Sequence, residues 1–178
     1  NAIVTKVIKA GTPEQPETPV GNAVELTAAK LGLGAYADGS KTVDGVDFSF
    51  IELGDYGAGI QMRNKTKAST LWNTTALPGT IKDIVLVYNS TKTTYDNKDA
   101  LIFTFGNDAT LGGGTVKLST VPGQMTYTIT PDADNYTFFK VAINITYSMY
   151  WDSITINYVG GSTPEQPEEP KHEHVACP

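Results

Sequence analysis

Alternation of apolar and polar residues dominates the middle of the chain. In "VDFSFIEL" (46–53) Val46, Phe48 and Phe50 fall on one face, with Asp47 and Ser49 on the other. "GIQMR" (59–63) sets Ile60 and Met62 against Gln61 and Arg63, and "LIFTF" (101–105) groups Leu101, Phe103 and Phe105. "MTYTIT" (125–130) groups Met125, Tyr127 and Ile129, and "FKVAINI" (139–145) groups Phe139, Val141, Ile143 and Ile145. Period two with aromatic and β-branched residues is the pattern of strands half-buried on a sheet. "IKDIVLVY" (81–88) is apolar on both faces and predicts a central strand.

Turn signals separate these runs: "DGS", "VDG", "LPG", "YDNKD", "LGGG", "VPG" and "PDADN". Nine to eleven short strands punctuated in this way predict an all-β fold, an antiparallel β-sandwich of jelly-roll type. One segment reads as helix, "AVELTAAKLGL" (23–33), but Gly32 and Gly34 cut it short, and strand plus loop is an equal reading.

Composition divides the chain. All seventeen aromatic residues lie between Tyr36 and Tyr158, whereas seven of the ten prolines fall in 12–19 or from Pro164 onward. The phrase "TPEQPETP" (12–19) returns as "TPEQPEEP" (163–170). Proline at every third position or so, separated by Glu, Gln and Thr, disfavours helix and sheet and predicts an extended, charged spacer. The expected organisation is therefore a sandwich module over 21–162, a Pro/Glu linker at 12–20, and a second linker with a flexible tail at 163–178. Residues 1–11 read as a remnant of a preceding module or as an edge strand of this one. Paired spacers of one kind are the punctuation of a multimodular polypeptide, so neighbouring modules are expected partners.

The formal charge of −6 narrows the partners. Six of the nineteen acids sit on the tails, and the body holds thirteen acids against ten bases. Nucleic acid and anionic membrane draw on clustered Lys and Arg, and no such cluster occurs here. No run approaches the ~20 apolar residues of a membrane span, so membrane insertion is not expected. The single cysteine, Cys177, lies in the tail, and a body rich in Thr, Asn, Gly and Tyr without cysteine suits an exported bacterial protein.

Little catalytic chemistry is available. Both histidines, His172 and His174, are in the tail, which removes Ser–His–Asp and Cys–His catalysis from the body. With Cys177 they supply three candidate zinc ligands where a closed structural site needs four, and a tail is the reading adopted. "LGGGT" (111–115) lacks the Lys and the strand-to-helix context of a phosphate loop and reads as a hairpin. Glu52, Asp55 and Asp152 are the acids from which a carboxylate-dependent glycosidase would draw its pair. "YDNKDA" and "PDADNY" gather hard oxygen ligands, but neither follows EF-hand spacing, and turn formation accounts for both. No cofactor is expected beyond an optional structural calcium. Asn-X-Ser/Thr triplets at Asn64, Asn73, Asn89, Asn135 and Asn144 are taken as compositional, Asn144 because it falls in an expected core strand.

Three stretches carry a family resemblance: "GDYGAGIQMRNK", "LWNTTALPG" followed by "IKDIVLVY", and "YTFFKVAINI" with the closing "YWDSITINY". Over about residues 23–159 they resemble a β-sandwich module that recurs in large secreted or surface proteins of Gram-positive, clostridial-type bacteria. The close, an aromatic, an Asp and alternating Ile, is similar to the last strand of jelly-roll carbohydrate-binding modules. The resemblance implies an extracellular, accessory module and suggests a glycan ligand. The chain departs from the pattern in the acidic N-terminal strand that would pair with Asp152 around a structural calcium, where Glu25 is the sole candidate.

Sugar rings stack their apolar faces on exposed aromatics, while a few fixed amides and charges meet the hydroxyls. In "YWDSITINY" Ile154, Ile156 and Tyr158 take one face, so strict alternation turns Trp151 outward with Ser153, Thr155 and Asn157. Trp151 is thus the first expected anchor, Trp72 beside Asn73 the second, and Tyr56 the third. Gln61 and Arg63 share an outward face as hydrogen-bonding partners, and Asp152 buttresses the last strand. The expected function is a non-catalytic accessory module, secreted or on the cell surface, that binds carbohydrate. A structural or adhesive spacer without small ligand is the alternative, and a glycosidase the weaker one.

Overall fold

The computed structural model describes residues 21–160. The expected remnant at 1–11, both Pro/Glu linkers and the His172, His174 and Cys177 cluster lie outside the described residues.

Eleven strands and one helical turn follow in order: β1 (Gly21–Leu26), α1 (Ala28–Leu31), β2 (Ala37–Val43), β3 (Val46–Leu53), β4 (Ile60–Met62), β5 (Thr70–Asn73), β6 (Thr80–Tyr88), β7 (Asn97–Gly106), β8 (Thr115–Thr120), β9 (Thr126–Ile129), β10 (Phe138–Ile143) and β11 (Met149–Val159). One sheet runs β1-β11-β6-β9, with β4 also paired to β11; the other runs β2-β3-β5-β10-β7-β8. Every pairing is antiparallel. Without β2, β3 and β4, the two four-stranded sheets β1-β11-β6-β9 and β5-β10-β7-β8 are the double Greek key of a jelly roll.

The expected alternation builds the core. Val46, Phe48 and Phe50 of β3, Leu101, Phe103 and Phe105 of β7, Phe139, Val141 and Ile143 of β10, and Ile84 and Leu86 of β6 are all buried between the sheets. Each such side chain contributes roughly 1.5–3 kcal/mol on leaving water. The β2–β3 hairpin turns on Asp44 and Gly45, both at positive φ (49° and 79°), the conformation that a two-residue Asp-Gly loop adopts readily. The ambiguous segment at 23–33 resolves into strand β1 followed by a single helical turn. Thr27 accepts from Lys30 N at its start, and Gly32 stops it in the left-handed conformation.

Two expectations fail here. Trp151 is fully buried, not outward. The β6–β11 ladder is regular from Ile154 to Asn157 but slips between Trp151 and Ser153, leaving Asp152 as an extra residue. A bulge of one residue inverts every side chain beyond it, so Trp151 turns inward opposite Tyr88. There it packs edge-on against Tyr88 (ring centroids 5.1 Å) and Tyr127 (6.0 Å), its indole N–H without a partner. Gly59 packs against the bulge at φ 76°, and an added Cβ would clash with the Trp151 carbonyl. Asn144, expected in a core strand, lies exposed just beyond β10, where its amide donates to the Asp99 carbonyl at 3.0 Å.

The chain enters and leaves the body side by side, since Gly21 pairs with Val159. From Val159 back to Tyr150, β11 runs the length of the sandwich, about 30 Å at ~3.3 Å per residue. The β1–β2, β3–β4, β6–β7, β8–β9 and β10–β11 connections all gather at that far end.

Candidate functional site at the tyrosine-rich end

Four large apolar residues are exposed among those described, and all four lie in the far-end connections: Tyr56 (64%), Tyr95 (63%), Tyr147 (70%) and Val121 (50%). Tyr36 and Tyr150, half-buried, extend the same surface.

Tyr36 is the centre of one half. The Arg63 guanidinium carbon lies 3.6 Å from its ring centre, and the Tyr56 ring leans on it at 5.6 Å. Its hydroxyl donates to Gln61 Oε1 at 3.2 Å. Burial pushes the Tyr36 phenol above its ordinary range, partly offset by hydrogen bonding to Ser148 and by the nearby Arg63 charge. Arg63 is held from behind, donating through Nη2 (2.9 Å) and Nε (3.2 Å) to Glu52 Oε2.

Glu52 reaches this position through the backbone. The β2–β3 ladder slips between Ala37 and Gly39, and Glu52 takes φ 49°, a strained value for a residue with a side chain. Several bonds hold it there: its N–H donates to Asp38 Oδ1 at 3.1 Å and its carbonyl accepts from the Ser69 hydroxyl. Asp38 is bonded to Lys67 at 2.8 Å, an ion pair that holds its carboxyl below the usual range.

Tyr150 is the centre of the other half. It stands directly opposite Gln61 on the β4–β11 pair, which joins the two halves. The Lys92 ammonium sits 4.9 Å from its ring centre. An open cleft of about 410 Å³ runs between Tyr88, Thr91, Lys92, Tyr95, Tyr147 and Tyr150, and it shares Tyr95, Asn97 and Tyr147 with one of about 470 Å³ that Asp96 also bounds. Tyrosines flank these clefts with apolar rings and hydroxyls that donate and accept.

The fold therefore brings together Tyr56, Gln61 and Arg63, but in revised roles. Gln61, expected to face a ligand, is only 6% exposed, because Tyr36 covers it and uses its amide oxygen. Arg63 is committed to Glu52 and to the Tyr36 face. Asn73, expected as a ligand amide, is 2% exposed: Nδ2 donates to the carbonyls of Thr75 (2.8 Å) and Thr137 (3.0 Å), and Oδ1 accepts from Phe139 N at 2.8 Å. It ties β5 to β10, as its place between Trp72 and two turn threonines hides.

Trp72 stands apart on the outer face of the second sheet, half-buried, directly across from Ser49 on β3 and Lys140 on β10. Beside it lies an open groove of about 510 Å³ lined by Ser40, Lys41, Thr42, Asp47, Phe48, Ser49 and Thr74. The sequence reading missed Tyr36, Tyr95, Tyr147, Tyr150 and Lys92. Their one legible signal was that tyrosines fall in loops at strand ends, and alternation is silent about loops.

The acids considered for catalysis are engaged separately. Glu52 holds Arg63, Asp55 accepts from Gly57 N at 2.7 Å, and Asp152 accepts from Asn89 Nδ2 at 2.6 Å. Glu25, the candidate calcium partner of Asp152, pairs opposite Thr155, three residues further along β11, and lies 3.7 Å from Lys30. Among the described residues, no helix is long and apolar enough to cross a membrane.

No family model and no curated protein matches the chain. Among solved structures it is similar to a low affinity xylan binding module, CBM86, from the xylanolytic gut symbiont Roseburia intestinalis, at 16% identity and a TM-score of 0.35, over 79% of this chain and 96% of that one.

Proposed function

We propose that this chain carries a non-catalytic, extracellular accessory module that binds carbohydrate through the tyrosine-rich end. The observation that carries this reading is the concentration of exposed aromatic surface at one end of the sandwich, opposite the point where the chain enters and leaves. Solvent-facing rings around open clefts suit sugar, whose apolar faces stack while its hydroxyls meet phenols. The adjacent entry and exit points bear on the spacer alternative as well. A spacer lengthens a chain by separating its ends, whereas Gly21 and Val159 lie side by side and the aromatic surface is at the opposite end of the body. The repeated Pro/Glu phrase supports the multimodular setting, the composition supports export from a bacterium, and the Gram-positive origin rests on the family resemblance alone.

The test is a glycan array and an insoluble-polysaccharide pull-down on the full chain, with Tyr56→Ala, Tyr147→Ala and Trp72→Ala beside the wild type and melting temperatures recorded for all. Loss of binding in Tyr56→Ala or Tyr147→Ala, with melting unchanged, is the expected result. Loss in Trp72→Ala alone moves the site to the outer face of the second sheet. Absence of binding to every glycan returns the module to the spacer reading.

A further inference from the structure

Resting on that reading, we infer that the Lys92 half of the tyrosine-rich end accepts a carboxylate-bearing sugar residue, a uronic acid, carried on an otherwise neutral glycan. Lys30, Arg63, Lys67, Lys82 and Lys117 each lie within 4.0 Å of a carboxylate. Lys41, Lys65, Lys92, Lys98 and Lys140 make no such ion pair among the described residues, and of these Lys92 alone lines a cleft of the tyrosine-rich end. Its ammonium instead rests over the Tyr150 ring at 4.9 Å, at the wall of the 410 Å³ cleft. A cation over a ring face uses the side of the ammonium turned to the ring and leaves its other N–H donors directed away.

No carboxylate lines that cleft. The nearby acids are Asp96, on the adjoining cleft, and Asp152, which accepts from Asn89. A pyranose stacked on Tyr147 or Tyr95 would bring a ring carboxylate to the one unpaired cation of the cleft, a charge-assisted contact that a neutral sugar lacks. The net charge of −6 acts against a continuous polyanion, so a local cation in a globally acidic protein selects scattered carboxylates over dense ones.

The test measures affinity of the full chain for polygalacturonate, alginate, hyaluronate and glucuronoxylan, each beside its carboxyl-reduced neutral form. Wild type, Lys92→Gln and Lys92→Arg are compared, with melting temperature as the folding control. The expected result is tightest binding to glucuronoxylan, with its sparse uronates. Binding weakens by about fivefold on carboxyl reduction and by the same factor in Lys92→Gln, while Lys92→Arg retains it. Equal binding of acidic and reduced forms, or of Lys92→Gln and wild type, overturns the uronate inference and leaves the carbohydrate reading standing. Tightest binding to polygalacturonate overturns the preference for sparse charge. Failure to bind any of these glycans in either form, by a chain that binds none on the array, removes both.

Discussion

Arg63 lies face-on to Tyr36, its guanidinium carbon 3.6 Å from the ring centre, while the edge of the same guanidinium is bonded to Glu52. A planar cation can serve a ring and a carboxylate at once, because its faces and its N–H edge are distinct surfaces. Tyr36 in turn supports Tyr56, so an exposed ring rests on an assembly anchored by a strained residue of β3.

Glu52→Gln should loosen this stack from below. Arg63 keeps a hydrogen-bond acceptor but loses the charge, and the half-buried pair should cost about 1 kcal/mol, a fall in Tm of about 4 °C. Arg63→Ala should cost more, about 1–2 kcal/mol, because the contact with Tyr36 goes as well. Thermal melts check both, and an unchanged Tm in Arg63→Ala would show that the stack is ornamental to the fold.

The two tryptophans should differ sharply in fluorescence. Trp72→Phe leaves only Trp151, fully buried, and its emission should be blue-shifted and shielded from acrylamide. Trp151→Phe leaves Trp72 on the outer sheet face, red-shifted and quenched. Trp151→Ala should cost about 3–5 kcal/mol and any binding loss it causes should follow unfolding. A quenchable, red-emitting Trp151 would contradict the bulge at Asp152.

Asn73→Ala should destabilise by about 3 kcal/mol or more. It strands the buried Phe139 N–H and removes the donors to the Thr75 and Thr137 carbonyls. Denaturant unfolding measures this, and glycan binding by the fraction that remains folded should be normal.

Tyr88 should ionise well above the ordinary tyrosine range. Burial is the main cause, with the neighbouring Tyr150 adding to it, and its pKa is pushed up to about 12. The folded state thus holds the proton more tightly than the unfolded chain, whose tyrosine titrates near 10. The corresponding stability is complete below about pH 10 and declines as the pH rises toward about 12. Unfolding midpoints measured across that window should fall for wild type and fall less steeply for Tyr88→Phe. Parallel decline in the two proteins would assign the loss to other groups.

Most of the strands were legible because their inward residues are consecutive alternate positions of β-branched and aromatic type. Phe48 and Phe50, Phe103 and Phe105, and Phe139 and Val141 obey that rule without exception, and the Asp44–Gly45 turn obeys a local φ preference. Trp151 was misread for a reason equally local in form. Alternation carries face information only while the ladder is regular, and the bulge at Asp152 forms through pairing with the distant strand β6, Trp151 opposite Tyr88 and Ser153 opposite Val87.

The site was legible only in part. Tyr56, Gln61 and Arg63 are near neighbours in sequence, and their convergence follows from the short β3–β4 connection. Tyr36, Tyr95, Tyr147 and Lys92 come from three other loops, which meet because those connections return to the same end of the sandwich. Asn73 looked available beside Trp72, yet its amide is consumed by the backbone groups of Thr75, Thr137 and Phe139.

By itself the sequence determined an all-β body between two Pro/Glu phrases and the inward face of most of its strands, since period, turn chemistry and composition act over a few residues. Tertiary structure alone decided which aromatics face solvent and which unpaired cation lines a cleft among them. Exposure and pairing depend on which distant strands and loops become neighbours, and register shifts at Asp152 and Glu52 settle that contact by contact.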